Sequence, residues 1–162
     1  MAGNSELEVL SGEITNTLNI IRVLYDKYKR FLAEELKSLG EKPITAAYLA
    51  DILNSFYTCL ETLFLRISNY FENQLENERW HQDLLDKMTI EIPDIRIAAI
   101  SLESFGKLKE LLRFRHFRRY YFEMEYDWDK LDYLQKKFVE LEKPVKRDLE
   151  RFHNFLKALK LS

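Results

Sequence analysis

YLADILNSFYTCLETLFLRISNYFE, residues 48–72, decides the fold class. Leu49, Leu53, Phe56, Leu60, Leu63, Ile67 and Tyr70 recur at alternating steps of four and three. That spacing gathers them on one side of an α-helix and suits packing nearly parallel to a neighbouring helix. Thr45 reads as the N-cap of this helix, since a threonine hydroxyl can accept a hydrogen bond from an orphan N–H of the first turn.

Upstream, Ser5 to Leu39 carries apolar residues at Leu7, Leu10, Ile14, Leu18, Ile21, Tyr25, Tyr28, Leu32 and Leu36, again a single helical face. Gly40 stands where a left-handed C-terminal residue belongs, and Pro43 follows. Downstream, a shorter helix is expected from Asn77 to Met88. IEIPDIR, residues 90–96, reads as a loop, because the residue before Pro93 is pushed out of the α region. A further helix should begin near Ser101 and run to about Glu123. Asp127 is the candidate N-cap of the last one, whose register Leu131, Leu134, Phe138, Leu141, Val145, Leu149, Phe152, Leu156 and Leu159 continues across Pro144. A proline there removes a backbone hydrogen bond, so one helix kinked at Pro144 is expected. The fold predicted is all-α: an up-and-down bundle of four long helices plus one short helix, forming a single domain over residues 1–162.

The composition agrees. Apolar residues make up 46% and charged residues 32%, with only four glycines and three prolines to interrupt helices. The net charge of −2 excludes a polyelectrolyte binder, so any affinity for nucleic acid must come from a local basic patch. The single cysteine, Cys59, rules out an intrachain disulfide and a thiolate zinc site, which suits a cytoplasmic location. No signal peptide and no membrane-spanning apolar run are read from the chain.

The basic patch is RFRHFRRYYF, residues 113–122. On a helical projection Phe105, Leu108 and Leu112 share a sector of about 60° and set the inward face. The same stripe continues as Arg115, Arg119 and Phe122. His116 lies at its edge with Tyr120 one turn on. Leu111, Phe114 and Tyr121 form a second apolar flank, and Arg118 lies between the two. An unpaired guanidinium is costly to bury, so Arg115 and Arg119 need carboxylate partners on neighbouring helices or a wet, anion-binding cleft. Arginines grip phosphate bidentately, aromatic rings stack on unpaired bases, and histidine moves protons near neutral pH.

RFRHFRRYYFEMEYDWDKL, residues 113–131, resembles the end of the fourth helix in HepT-like toxins of the HEPN superfamily, in a branch common in cyanobacteria and other bacteria. Arg113, Phe114, Arg115, His116, Arg119, Asp127, Lys130 and Leu131 match that branch without gaps. FYTCLETLFLRISNYFE, ERWHQDLLDKM and IPDIR are also similar to it, so the resemblance covers most of residues 45–135. It implies a homodimer whose basic helices face each other across an RNA-sized cleft. It implies a metal-independent endoribonuclease toxin acting on tRNA or mRNA, with no cofactor, and a cognate minimal nucleotidyltransferase antitoxin as partner. Arg115 and Arg119 would hold phosphate, His116 would be the general acid/base, and Arg113, Arg118, Tyr120 and Tyr121 would contact RNA.

The chain departs from the superfamily motif, an arginine followed after four to six residues by a histidine and often x-Tyr. Counting from Arg115, the histidine position is Tyr120 and the tyrosine position is Phe122. Some antitoxins of this family transfer AMP to a tyrosine near the motif, and Phe122 has no hydroxyl to receive it. Two readings therefore stay open: His116 with Arg115 and Arg119 cuts RNA, or the domain is a catalytically inactive RNA- or protein-binding module. A third reading comes from Glu78-x-x-His81 and Glu150-x-x-His153, which with Glu61 and Glu34 share the ligand types of a diiron carboxylate bundle. Against it, Leu149 and Phe152 set the inward face of the last helix and leave His153 near its edge. Cys59, among Phe56, Leu60 and Leu63, reads as a small buried thiol.

Overall fold

The computed structural model describes the backbone of residues 2–72, 80–120 and 126–162, and the side chains of these except 2, 80–82 and 118–120. All of the described secondary structure is helical apart from one isolated β-bridge, Ile92 to Arg96. The helices are α1 (Ala2–Ala33), α2 (Glu35–Leu39), α3 (Pro43–Glu72), α4 (Trp80–Met88), α5 (Leu102–Tyr120) and α6 (Trp128–Leu161). The bundle has the expected four long helices. The first expected helix divides at Glu34 (φ −110°, ψ −77°) into α1 and the one-turn α2. Hydrogen bonds from Glu34 N to Arg30 O (2.9 Å) and from Ser38 N to Glu34 O (3.0 Å) carry the chain through the break. Gly40 ends α2 at φ 71°, and its N–H donates to Leu36 O. A side chain is strained in that backbone region, which is why glycine stands there.

The start of α3 corrects the sequence reading. Thr45 lies inside the helix, not at its N-cap. Pro43 occupies the first helical position, where its missing N–H costs nothing. Lys42 O accepts the first intrahelical bond, from Ala46 N (2.9 Å). Thr45 is buried and its hydroxyl reaches back, accepting from Lys42 N (2.9 Å) and donating to Gly40 O (2.7 Å). It thus satisfies the turn from within.

α3 is the centre of the bundle and touches every other helix. Its stripe is buried as the alternating spacing requires: Leu49, Phe56, Leu60 and Ile67 have no accessible surface. An aromatic seam joins α1, α3 and α6. Tyr25 stacks on Phe138 (centroids 4.1 Å apart), Phe56 meets both rings edge-on, and the Tyr25 hydroxyl donates to Phe138 O (2.5 Å). Burial pushes the Tyr25 phenol far above its ordinary pKa, so it stays a donor.

α6 passes Pro144 as one helix, as its unbroken apolar register implied. Asp127 is its N-cap, accepting from Asp129 N (2.9 Å) with extended backbone angles. The segment 90–96 is a loop, closed by Ile92 and Arg96 and turning at Asp94 (φ 62°). Arg96, 2% exposed, holds it: Nε donates to Glu72 Oε1 (2.8 Å), and the remaining N–H groups reach the carbonyls of Lys87, Ile90 and Ile97. A cation at the last carbonyls of α4 is favourably placed in that helix's dipole. At the start of α5 the buried Asp148 of α6 accepts from Ser101 N, Ser101 Oγ and Ser104 Oγ. A buried carboxylate thereby pins the N-terminus of the basic helix to α6.

Candidate functional site

α5 carries the candidate site. Its first half is ordinary core: Leu108, Leu111, Leu112 and Phe114 are all buried. On the same inward side the next residue is Arg115, and the helix must satisfy a guanidinium where it had been burying leucine. It does so across the bundle. Arg115 Nη1 donates to Oε1 of Glu61 on α3, with side-chain exposures of 24% and 8% for the two partners. The guanidinium carbon also lies 5.9 Å from the ring centroid of the buried Tyr57, one helical turn before Glu61. Burial drives the Tyr57 phenol far above its usual pKa; the Glu61 charge adds to the rise and Arg115 opposes it. Of the two arrangements open to a buried arginine, Arg115 adopts the carboxylate pair and keeps about a quarter of its surface in solvent.

The other predicted site residues separate by face. His116 is exposed, one position round the helix from Arg115. Arg113 is exposed and pairs with Glu110 at 3.0 Å within its own helix. Arg118, Arg119 and Tyr120 lie on the last turn of α5, but their side chains fall outside the described residues, and Tyr121 lies outside them altogether. The structure therefore brings Arg115 toward α3 while turning Arg113 and His116 outward.

A groove of about 520 Å³ runs between the end of α5 and the start of α6. Arg113, Phe114 and Phe117 line it from α5; Tyr126, Asp127, Lys130 and Leu131 line it from the other side. Five of these seven residues belong to the ungapped pattern noted in the sequence: Arg113, Phe114, Asp127, Lys130 and Leu131.

Sequence reasoning missed three participants. Glu61, a ligand type in the diiron reading, instead receives Arg115. The available signal was its position: Tyr57, Glu61 and Phe64 fall at i, i+4 and i+7, a second inward face with a carboxylate in it. Phe117 and Tyr126 were not singled out, because the groove needs two helices to exist. Among the other candidates, His153 Nε2 lies 2.6 Å from Ser11 Oγ, joining α6 to α1. Cys59 directs its thiol at Phe56 O (3.1 Å), and burial pushes that thiol up to about 12. Among the described residues no three His, Cys, Asp or Glu side chains gather as a metal site, and no helix is long and apolar enough to cross a membrane.

The family model described as HepT-like protein matches residues 48–156. No curated protein and no solved structure matches the chain. The matched span runs from the first turns of the central helix, through Glu61, Arg115 and His116, to the last turns of α6, so the chain belongs to the HepT-like family.

Proposed function

We propose that this protein is a ribonuclease toxin of a toxin–antitoxin pair, cutting tRNA or mRNA without a metal in the cytoplasm. It works as a homodimer in which the two α5 helices face one another. Its partner is a cognate minimal nucleotidyltransferase antitoxin. The observation that carries the reading is a family match enclosing an exposed histidine, His116, on an arginine-rich helix end.

The chemistry follows from the side chains. A ribose 2′-oxygen attacks the adjacent phosphorus while His116 removes its proton. The 5′-oxygen leaves with a proton, which His116 of the second subunit supplies. Negative charge grows on the non-bridging oxygens and is met by arginine, the side chain best shaped to hold it. Arg119 has that task outright. Arg115 contributes its field and, held by Glu61, fixes the rotation of α5.

A second reading keeps the RNA and drops the cut. It is favoured by one specific observation: the Arg115 guanidinium is already engaged by Glu61. The deciding experiment uses purified protein, labelled tRNA and His116→Ala. General acid–base catalysis contributes roughly 10²- to 10⁴-fold, so the variant should lose cleavage by that factor with an unchanged melting curve. Full cleavage by His116→Ala would remove the catalytic role. A wild-type protein that binds RNA with steep salt dependence and never cuts it leaves the binding module.

A further inference from the structure

We infer that the groove between α5 and the start of α6 is a nucleobase subsite, taking one unstacked base of a single RNA strand. The inference rests on the RNA reading above and adds to it a second contact region, away from the Arg115 face.

The groove has the composition of a base pocket. Its floor is apolar, with Phe114 3% exposed and Leu131 fully buried. Its wall is aromatic: Phe117 is 42% exposed, and the Tyr126 ring stands 6.1 Å from that of Phe114, tilted by 47°. Its volume of about 520 Å³ lies within the range of roughly 300–1,000 Å³ usual for small-ligand clefts. A cation stands on each side, Arg113 from α5 and Lys130 from α6. Arg113 is paired with Glu110, but an exposed i, i+3 pair is weak and a phosphate can displace it. Apolar floor, aromatic wall and paired cations suit a ring that carries phosphate on its flanks.

Asp127 selects among bases. Its Oδ1 accepts from Asp129 N as the cap of α6, and the residue belongs to the groove lining. A carboxylate accepts from the exocyclic amine of adenine, cytosine or guanine, whereas uracil has no such amine and presents only its N3–H between two carbonyls, which a carboxylate meets less well. Adenine, cytosine and guanine are therefore preferred to uracil.

The position relative to His116 links the groove to cleavage. Arg113 and His116 stand three residues apart on the exposed strip of α5, neighbours at about 5–6 Å between Cβ atoms. Phe117 lies on the other side of Arg113, about 40° round the helix. A strand with its base against Phe117 and its phosphate at Arg113 is led directly to His116.

The test titrates the full-length protein with AMP, UMP and ribose 5-phosphate, following aromatic-ring resonances by NMR. AMP should bind, shift the Phe117 and Tyr126 resonances, and bind about tenfold more tightly than ribose 5-phosphate, the factor that a modest stacking contact represents. UMP should fall between them. Phe117→Ala should erase the advantage of AMP and leave ribose 5-phosphate unchanged; Phe117→Leu, which keeps the apolar bulk, controls for folding. Lys130→Gln should weaken all three. AMP binding no better than ribose 5-phosphate, or AMP affinity unaltered in Phe117→Ala, overturns the subsite. His116→Ala should bind AMP normally. If the wild type never cuts RNA yet AMP maps to Phe117, only the cleavage reading fails.

Discussion

Truncating Arg115 tests whether its pair with Glu61 ties the basic helix to the centre of the bundle. Glu61 is 6% exposed, so Arg115→Ala takes a guanidinium from a carboxylate that has little water to replace it. Breaking a fully buried pair from one side costs about 3–5 kcal/mol. Arg115 keeps 24% of its side-chain surface in solvent. Screening there reduces the expected loss to about 2–3 kcal/mol. For a chain of 162 residues each kcal/mol shifts the melting temperature by about 2–4 °C, so a fall of roughly 5–10 °C is expected. Glu61→Ala should cost less, about 1 kcal/mol, because the freed guanidinium can turn to water. The assay is urea denaturation of both single variants and the double variant, with m-values checked for constancy. A coupling energy below about 0.5 kcal/mol would refute the pair as a structural tie. Under the proposed RNA-binding role the pair has a second consequence. Glu61→Gln releases the guanidinium, so RNA affinity should rise, and the salt dependence should steepen by roughly 0.7 in log–log slope for one more phosphate on a single strand.

Arg96→Ala should be among the costliest single substitutions, about 3–5 kcal/mol by urea denaturation, because it leaves the Glu72 carboxylate with only the Ser68 hydroxyl and uncaps the carbonyls of Lys87 and Ile90 together. If the loss is under about 1 kcal/mol, the 90–96 loop is held by something other than this guanidinium. Stability should also rise with pH through the histidine range. Partial burial, aided by the Lys157 charge, holds His153 below its usual pKa of 6.5. Between the folded and unfolded values the unfolded chain binds more protons, so stability falls as pH drops below 6.5 and levels off beneath the folded value. His153→Gln should flatten that part of a pH–stability curve measured by thermal melting, and an unchanged slope would dismiss the assignment.

The resemblance to HepT-like toxins and the family match point the same way, but they weigh differently from the geometry. Matching residues brought together in the groove of α5 and α6 give the pattern a physical meaning that the string alone lacks: Arg113, Phe114, Asp127, Lys130 and Leu131 form one concave surface. The departure at Tyr120 and Phe122 keeps its importance, because it leaves His116 as the single histidine in the sequence of this helix.

What the sequence determined by itself was local. Steps of three and four placed the inward faces of α1, α3 and α6, since helical period depends on the backbone alone, and failed only near helix ends, where Leu32 and Leu159 are exposed and Phe31 is buried instead of Leu32. Asp127 and Gly40 marked ends because a cap acts within a few residues, and Thr45 was misread because Pro43 offered an equally local and better start. The tertiary structure alone decided which charge meets which. Arg115 finds Glu61 from 54 positions away in the chain, and Asp148 holds Ser101, 47 positions before it, at the head of α5. Those partners are chosen by how the helices lie against one another, where burial makes an unpaired charge too costly to keep, and no spacing along one helix encodes that choice.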